Sequence, residues 1–401
     1  MENIELEFAL QIIKESVEQI SSTERIKIEE ARGRIIGEDI YAPINQPPFD
    51  RSPLDGYALK SEDTKSASKS NPIKLKVVDE VFAGGNINTL VNRKEAIRIM
   101  TGAEIPKGAD CIIRQENTNY GMDEVEIYNE LQEYENYCFA GEDVKKGKKL
   151  ISKGDKLTYV HIGLLAVMGI TEIIVKRKPI VGIISTGDEI INVGQPLVRG
   201  KIYDSNRVTI SMRLLDFGCE IFSSKIVVDE TYKVIQEIDN VIDKVDMLIT
   251  TGGVSVGKRD IMHEVIKDIN ANRLFWKVKL KPGTPIMYSL YKNRPILSLS
   301  GNPFAAIATF EIIGKELIYK LSGDKDLKQI RVESVMEDDF LKSSKGRRIV
   351  RGIYRDNKVY LPQGGHSPGM LASMVGCNCL IDIKPGTKQI LKGDKVDIIL
   401  I

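Results

Sequence analysis

Three short segments combine glycine with hydroxyl, amide and carboxylate side chains. They are Ser185-Thr186-Gly187-Asp188-Glu189, Thr250-Thr251-Gly252-Gly253-Val254-Ser255-Val256-Gly257 (followed by Lys258-Arg259-Asp260), and Ser298-Leu299-Ser300-Gly301-Asn302-Pro303. Glycine lets backbone approach a ligand closely, hydroxyls and free amides donate to phosphate, and a helix start favours negative charge. One such loop alone reads as a tight turn; three on one sheet edge read as an anion or nucleotide site. None matches the P-loop or the Rossmann glycine pattern.

Trp276-Lys277-Val278-Lys279-Leu280-Lys281-Pro282-Gly283 alternates lysine with apolar residues, so on a strand the three lysines would share one face, with Lys281 at its end. Loop-like contexts also hold the acids Asp55, Asp143, Glu189, Asp229 and Asp260. Singly each reads as a cap, a turn residue or a solvated charge, and Asp260 could cap a helix. Grouped beside phosphate-binding loops, such carboxylates would hold a divalent cation such as Mg²⁺.

The elements that must position these residues follow from periodicity. Leu6 to Ile20 has helical spacing, the proline-rich stretch Tyr41 to Pro53 reads as a linker, and Ile73 to Ile127 is strand-rich. Thr158 to Met168 reads as a helix with Thr158 as N-cap and Gly169 as its stop. After Pro179 strands and helices alternate: strands at 180–185, 220–228, 247–251, 274–280 and 295–299, helices at 205–217, 232–244, 261–269 and 304–321. That alternation implies crossovers and a mostly parallel, doubly wound sheet, with the glycine loops at its carboxyl edge. Past Gly323, strands at 348–354, 358–361 and 396–400 read as a small β domain.

The chain of 401 residues carries 57 basic and 56 acidic side chains, a formal net charge of +1. That balance argues against a dedicated nucleic-acid binder, which needs a cationic surface for phosphates. The start is acidic without a secretory pattern, and the longest apolar stretch, Ile162 to Ile170, is too short to span a bilayer, so a cytoplasmic protein is expected. Five scattered cysteines and three histidines support neither a disulfide scaffold nor zinc-hydrolase chemistry. Cys377-Asn378-Cys379 sits in an apolar run and reads as strand packing.

Ser52-Pro53-Leu54-Asp55-Gly56-Tyr57-Ala58 resembles a signature of the molybdopterin molybdenumtransferases, the MoeA and gephyrin E-domain family. Thr101-Gly102-Ala103-Glu104-Ile105-Pro106 with Gly108-Ala109-Asp110 is similar to the family's second signature, and Gly141-Glu142-Asp143-Val144, the three glycine loops and Lys281-Pro282-Gly283 follow in family order. The resemblance implies four parts: residues 1–45 plus 141–178 as a discontinuous N-terminal/linker domain, 46–140 as a β-rich insert, 179–325 as an α/β molybdopterin-binding domain sister to the molybdopterin adenylyltransferase fold, and 326–401 as a β-barrel-like domain. It also implies a homodimer whose site is shared between subunits, with other cofactor-pathway proteins as candidate partners. The implied reaction inserts molybdenum from molybdate into adenylylated molybdopterin and releases AMP, with Mg²⁺.

Carried over residue by residue, the resemblance makes Asp55, Asp143, Glu189, Asp229 and Asp260 the functional acids, with Glu189 and Asp260 as metal ligands. Thr186, Gly187, Asp188, Thr251, Gly252, Gly253, Ser255, Ser300, Gly301, Asn302 and Pro303 would bind substrate, with Lys277, Lys281 and Thr284 as further contacts. Arg351 and Ser367 look like oxyanion contacts. Two positions depart from the family pattern: Thr284 replaces a lysine and Ser300 a proline, and both bear on oxyanion affinity and on molybdate against tungstate. Two other readings compete: a molybdopterin adenylyltransferase, which would leave the Asp55 and Asp143 segments idle, and a catalytically weak scaffold of the gephyrin E-domain type, which would not need all five acids.

Overall fold

Consecutive residues of the buried strands supply two different cores. Ile183, Ile249 and Leu297 join one apolar cluster, while their chain neighbours Ile184, Leu248 and Ile296 join another. Such period-two packing on both faces is what a doubly wound sheet requires. The computed structural model describes residues 1–255 and 261–401. They form two units, one of Met1–Glu24, Gly33–Ile35 and Ile174–Ile401, the other of Arg25–Arg32 and Ile36–Ile173. The first of these units contains the N-terminal helix together with the α/β region.

The first unit holds a seven-stranded sheet in the order Glu2–Ile4, Asn272–Val278, Met287–Tyr291, Arg294–Leu299, Met247–Thr251, Ile180–Thr186, Glu220–Val227. All neighbours pair in parallel except Met287–Tyr291, which is antiparallel to both of its partners. Helices Leu6–Ser16, Ser205–Asp216 and Pro303–Thr309 cover one face, and Thr231–Ile242 and Met262–Asp268 the other. At Gly182 a Cβ would lie 2.7 Å from Val241 Cγ1, so glycine is what lets the helix Thr231–Ile242 approach the sheet.

Three elements differ from the sequence reading. The first helix ends at Ser16 rather than Ile20, although Val17 and Ile20 still pack on the same core. Tertiary contact, not helix, carries the apolar spacing there. The expected helix 304–321 is interrupted by a π turn, Phe310–Gly314. Thr309 Oγ1 donates to the carbonyls of Ala305 and Ala306, and the Phe310 ring lies where a Cβ on Gly314 would be, 2.4 Å from Cδ2. Strand Asn272–Val278 stops before Lys279, and Lys277 has φ +61°, so the three lysines do not share one strand face. Lys277 pairs with Glu2 and Lys279 with Glu5 instead.

Residues 331–400 close into a barrel of Arg331–Met336, Lys358–Tyr360, Arg348–Arg355, Cys379–Ile383 and Lys395–Leu400. Its outward Ile349, Leu380 and Ile399 belong to the same core as the sheet helices, so barrel and sheet pack as one body. Cys379 is a buried strand residue, and all five cysteines are free.

The second unit centres on a five-stranded sheet in the order Cys111–Arg114, Gly56–Leu59, Glu95–Ile99, Ile73–Val81, Glu124–Ile127. Its helix, Tyr159–Val167, has the expected Thr158 cap, with His161 Nδ1 accepting from the Thr158 amide at 3.0 Å. The proline-rich stretch is not a free linker. Gln46 O accepts from the amides of Asp143 and Val144, Arg51 exchanges backbone hydrogen bonds with Cys138, and Ser52 bonds Ala103. Among the described residues no helix is long and apolar enough to cross a membrane.

Candidate functional site

The parallel strands deliver the glycine loops to a common edge. Thr186, Thr251 and Leu299 end adjacent strands, with Thr186 beside Val227 and Thr251 beside Leu299. Ser185 and Thr251 hydroxyls lie 2.8 Å apart, and the Gly252 amide donates to Leu299 O at 3.1 Å. Gly252 has φ +92°, and a Cβ there would stand 2.2 Å from Thr186 O, so only glycine fits. A Cβ on Gly301 would be 3.6 Å from Gly252 Cα. The second and third loops therefore touch.

Polar atoms without partners mark this edge. Thr186 Oγ1, Asp229 Oδ1 and Asn206 Oδ1 are buried without a hydrogen bond from any described residue. Burial pushes the Asp229 carboxyl up, with the charges of Asp188 and Glu189 adding, against a downward pull from the Thr186 hydroxyl and Asp188 amide. The Glu189 carboxylate folds back over Gly187, its Oε2 2.9 Å from where a Cβ would stand. Asn206, which the sequence reading missed, donates to Gly301 O at 2.8 Å. Its signal was a polar residue at the buried spacing of Ile210 and Leu214 on one helix face. Asp188, Glu189 and Ser255 are exposed. Asp260 lies outside the described residues.

Lys281 follows a strand that runs parallel with the central ones, two strand spacings (about 10 Å) from the Ser300 loop. Its backbone is fixed by the barrel, donating to Arg347 O and accepting from Ile349, while its side chain is exposed. Thr284 Oγ1 donates to Leu280 O at 2.6 Å, so its proton serves the turn. Ser300 Oγ accepts from the Asn302 amide at 3.2 Å and is buried. A Cβ on Gly283 would meet Thr309 Cγ2 at 2.2 Å, which explains the glycine after Pro282.

Arg351 is fully buried, not displayed. Its Nη1 donates to Met370 O and Ser373 Oγ, its Nη2 to Ser367 O at 3.0 Å, and burial without an acidic partner lowers its pKa. Arg351 thus holds the loop that carries the exposed Ser367, and Phe304 N, just past Pro303, donates to Pro368 O of the same loop.

In the second unit Asp55 Oδ1 accepts from both the amide and the hydroxyl of Thr101, each at 2.7 Å. Those bonds, backbone first, hold its carboxyl below the usual range. The two signatures of this unit are thereby neighbours. Gly56 lets its strand lie close against Cys111–Arg114, because a Cβ there would overlap Ile113 O at 1.8 Å. Asp143 is exposed, beside the segment that pairs with Gln46 and Pro47. Among the described residues no group of three His, Cys, Asp or Glu side chains stands ready for a metal.

Compared with known families, residues 4–169 match the MoeA N-terminal region (domain I and II), residues 182–320 a probable molybdopterin binding domain, and residues 333–401 the MoeA C-terminal region (domain IV). A molybdopterin molybdenumtransferase of Staphylococcus epidermidis is 33% identical over 397 residues, covering 97% of this chain and 95% of that one. One from Haemophilus influenzae is 35% identical over 94% of each chain, and one from Bacillus subtilis 34% identical over 94% of this chain and 90% of its own. A crystal structure of the molybdopterin biosynthesis MoeA protein from Pyrococcus horikoshii covers all of both chains with a TM-score of 0.83 at 29% identity. Another covers 99% of each with a TM-score of 0.86 at 28% identity.

Proposed function

The chain belongs to the MoeA family of molybdopterin molybdenumtransferases, and from that premise we propose that it transfers molybdenum from molybdate to the dithiolene of adenylylated molybdopterin and releases AMP. The observation that carries this reading is the buried pair Thr186 Oγ1 and Asp229 Oδ1 at the mouth of the glycine loops, near each other but neither in a well-formed hydrogen bond. A phosphate-bearing substrate gives the Thr186 hydroxyl and the loop amides their acceptors.

The donor set fits Mg²⁺. That ion takes one or two carboxylates plus water and substrate phosphate, so a three-acid cluster is not required. Glu189 would hold it, with Asp260 the further ligand expected from the sequence. Mg²⁺ supplies charge neutralisation on the pyrophosphate. Asp229, whose carboxyl favours its neutral form more than a free aspartate does, can pass a proton at Oδ1. Thr186 and the Gly252–Gly253 turn orient the pyrophosphate. Lys281 and Ser367 attract the tetrahedral dianion, with Arg351 setting the Ser367 loop. Asp55 and Asp143 sit on the other unit, and our reading has them complete the site across a homodimer in the cytoplasm. We also propose a division into 1–45 plus 141–178, 46–140, 179–325 and 326–401.

The test is AMP release from adenylylated molybdopterin with Mg²⁺, with and without molybdate, by wild type and by Asp229→Asn and Asp55→Ala. Molybdate-dependent release that both variants lose supports the reading. No release by folded wild type with either molybdate or tungstate overturns it.

A further inference from the structure

A cavity about 610 Å³ in volume lies on the first unit between helix Leu6–Ser16, helix Lys315–Ser322 and the turn Lys325–Leu327. It is within the size range of small-molecule sites, roughly 300–1,000 Å³. It is remote from the glycine loops. The helical segment that starts at Pro303 on their edge runs to Ser322, which at 1.5 Å per residue is about 29 Å away.

Its lining has five cations, Lys14, Lys320, Lys325, Lys328 and Arg331, against one carboxylate, Glu316. The whole chain carries only +1, so this is a local concentration of charge. Arg331 is committed to Asp382 at 2.7 Å, and Lys14 lies 3.5 Å from Glu316. Lys320, Lys325 and Lys328 make no ion pair among the described residues. The neighbouring acids are Asp324, buried and accepting from the Asp326 amide, and Asp326 itself.

The cavity is two-ended. Glu316 is 9% exposed, and the one cation on its Oε1 is Lys14 Nζ at 3.5 Å, with no hydrogen bond from any described residue. Tyr319 and Leu10 add an aromatic and an aliphatic wall. Gln19 is pressed against Gly323, where φ is +69° and a Cβ would fall 1.3 Å from Nε2. A bare polyphosphate would leave Glu316 facing like charge, and a neutral heterocycle would leave three lysines idle.

We infer that this cavity binds a nucleoside polyphosphate, its phosphates on Lys320, Lys325 and Lys328, its base against Tyr319 with an exocyclic N–H donated to the Glu316 carboxylate. The inference does not rest on the transferase reading. The experiment is calorimetric titration of ATP, and separately of inorganic tripolyphosphate, into the full chain, together with peptide mapping after photolabelling by 8-azido-ATP.

The expected result is ATP binding weakened at least about tenfold by Lys325→Glu/Lys328→Glu, both exposed positions that leave the fold intact. Label on peptides from 315–331 should disappear in that double variant. Glu316→Leu should weaken ATP while leaving tripolyphosphate unchanged or tighter. Absence of label at 315–331, ATP affinity indifferent to the double variant, no ATP binding at millimolar concentration, or tripolyphosphate matching ATP each overturns the inference.

Discussion

The guanidinium of Arg351 lies over the ring of Phe304, its carbon 3.6 Å from the ring centroid. One residue belongs to the barrel and the other opens the helix after Pro303. The stack ties the Gly301–Pro303 loop to the Ser367–Ser373 loop, which the same guanidinium holds by three donations. Arg351→Met should therefore cost about 2–4 kcal/mol in urea unfolding, since buried carbonyls lose charged donors. Arg351→Lys should recover part of that stability but not the activity, because an ammonium lacks the planar fork needed to set both ends of the loop. Equal activity loss and stability loss in both variants would show that positioning plays no separate part.

Gly252→Ala should abolish turnover while leaving the protein folded. The methyl group would meet Thr186 O at 2.2 Å in a backbone conformation, φ +92°, that alanine disfavours. The adjustment moves Thr186 and the Gly252–Gly253 amides, which we assign to the pyrophosphate. Loss of molybdate-dependent AMP release with an unchanged far-UV spectrum is the expected pair of results. Wild-type turnover would remove these loops from the site.

The sheet was legible because strand alternation and helix spacing were both driven by burial: Met247–Thr251 is buried along its whole length and reads as such. Met287–Tyr291 was not legible, since it is antiparallel in a parallel context and its partners are fixed only in the fold. The lysine run misled for a related reason. Alternation predicts a strand, yet Lys277 turns left-handed and the strand ends a residue later. In the site, glycine spacing pointed to the loops, but Arg351 read as a ligand because sequence reveals a charge and not its burial. Asn206 was hidden because a polar residue in a helix reads as surface.

Asp229 predicts an unusual pH dependence of stability. Its carboxyl is raised in the folded protein by burial and by nearby acids. The stability it contributes is thus fully present below the unfolded carboxylate value and is lost as pH rises through the raised one. Asp229→Asn should abolish that loss, so the variant gains on wild type as pH is raised above about 4. Denaturant melts of both proteins from pH 3.5 to 7 measure the difference. A gap that stays constant with pH would mean Asp229 titrates normally. The same variant should lose AMP release, a stabilised protein that no longer turns over.

Asp55 predicts a shift of the opposite sign. Two donations from Thr101, backbone and hydroxyl, hold its carboxyl low, so it stays ionised well into acid. Thr101→Val removes the hydroxyl donor and keeps the amide and the side-chain shape. The folded pKa should then rise toward the ordinary aspartate value. If ionised Asp55 acts in turnover, as proposed, the acid limb of kcat against pH should move to higher pH in Thr101→Val, with activity near neutrality kept. Asp55→Asn, whose amide cannot titrate or act as a base, should instead be inactive throughout the range. An unmoved acid limb in Thr101→Val would assign that limb to another acid. An active Asp55→Asn would leave the Asp55–Thr101 pair as a clamp between two neighbouring loops.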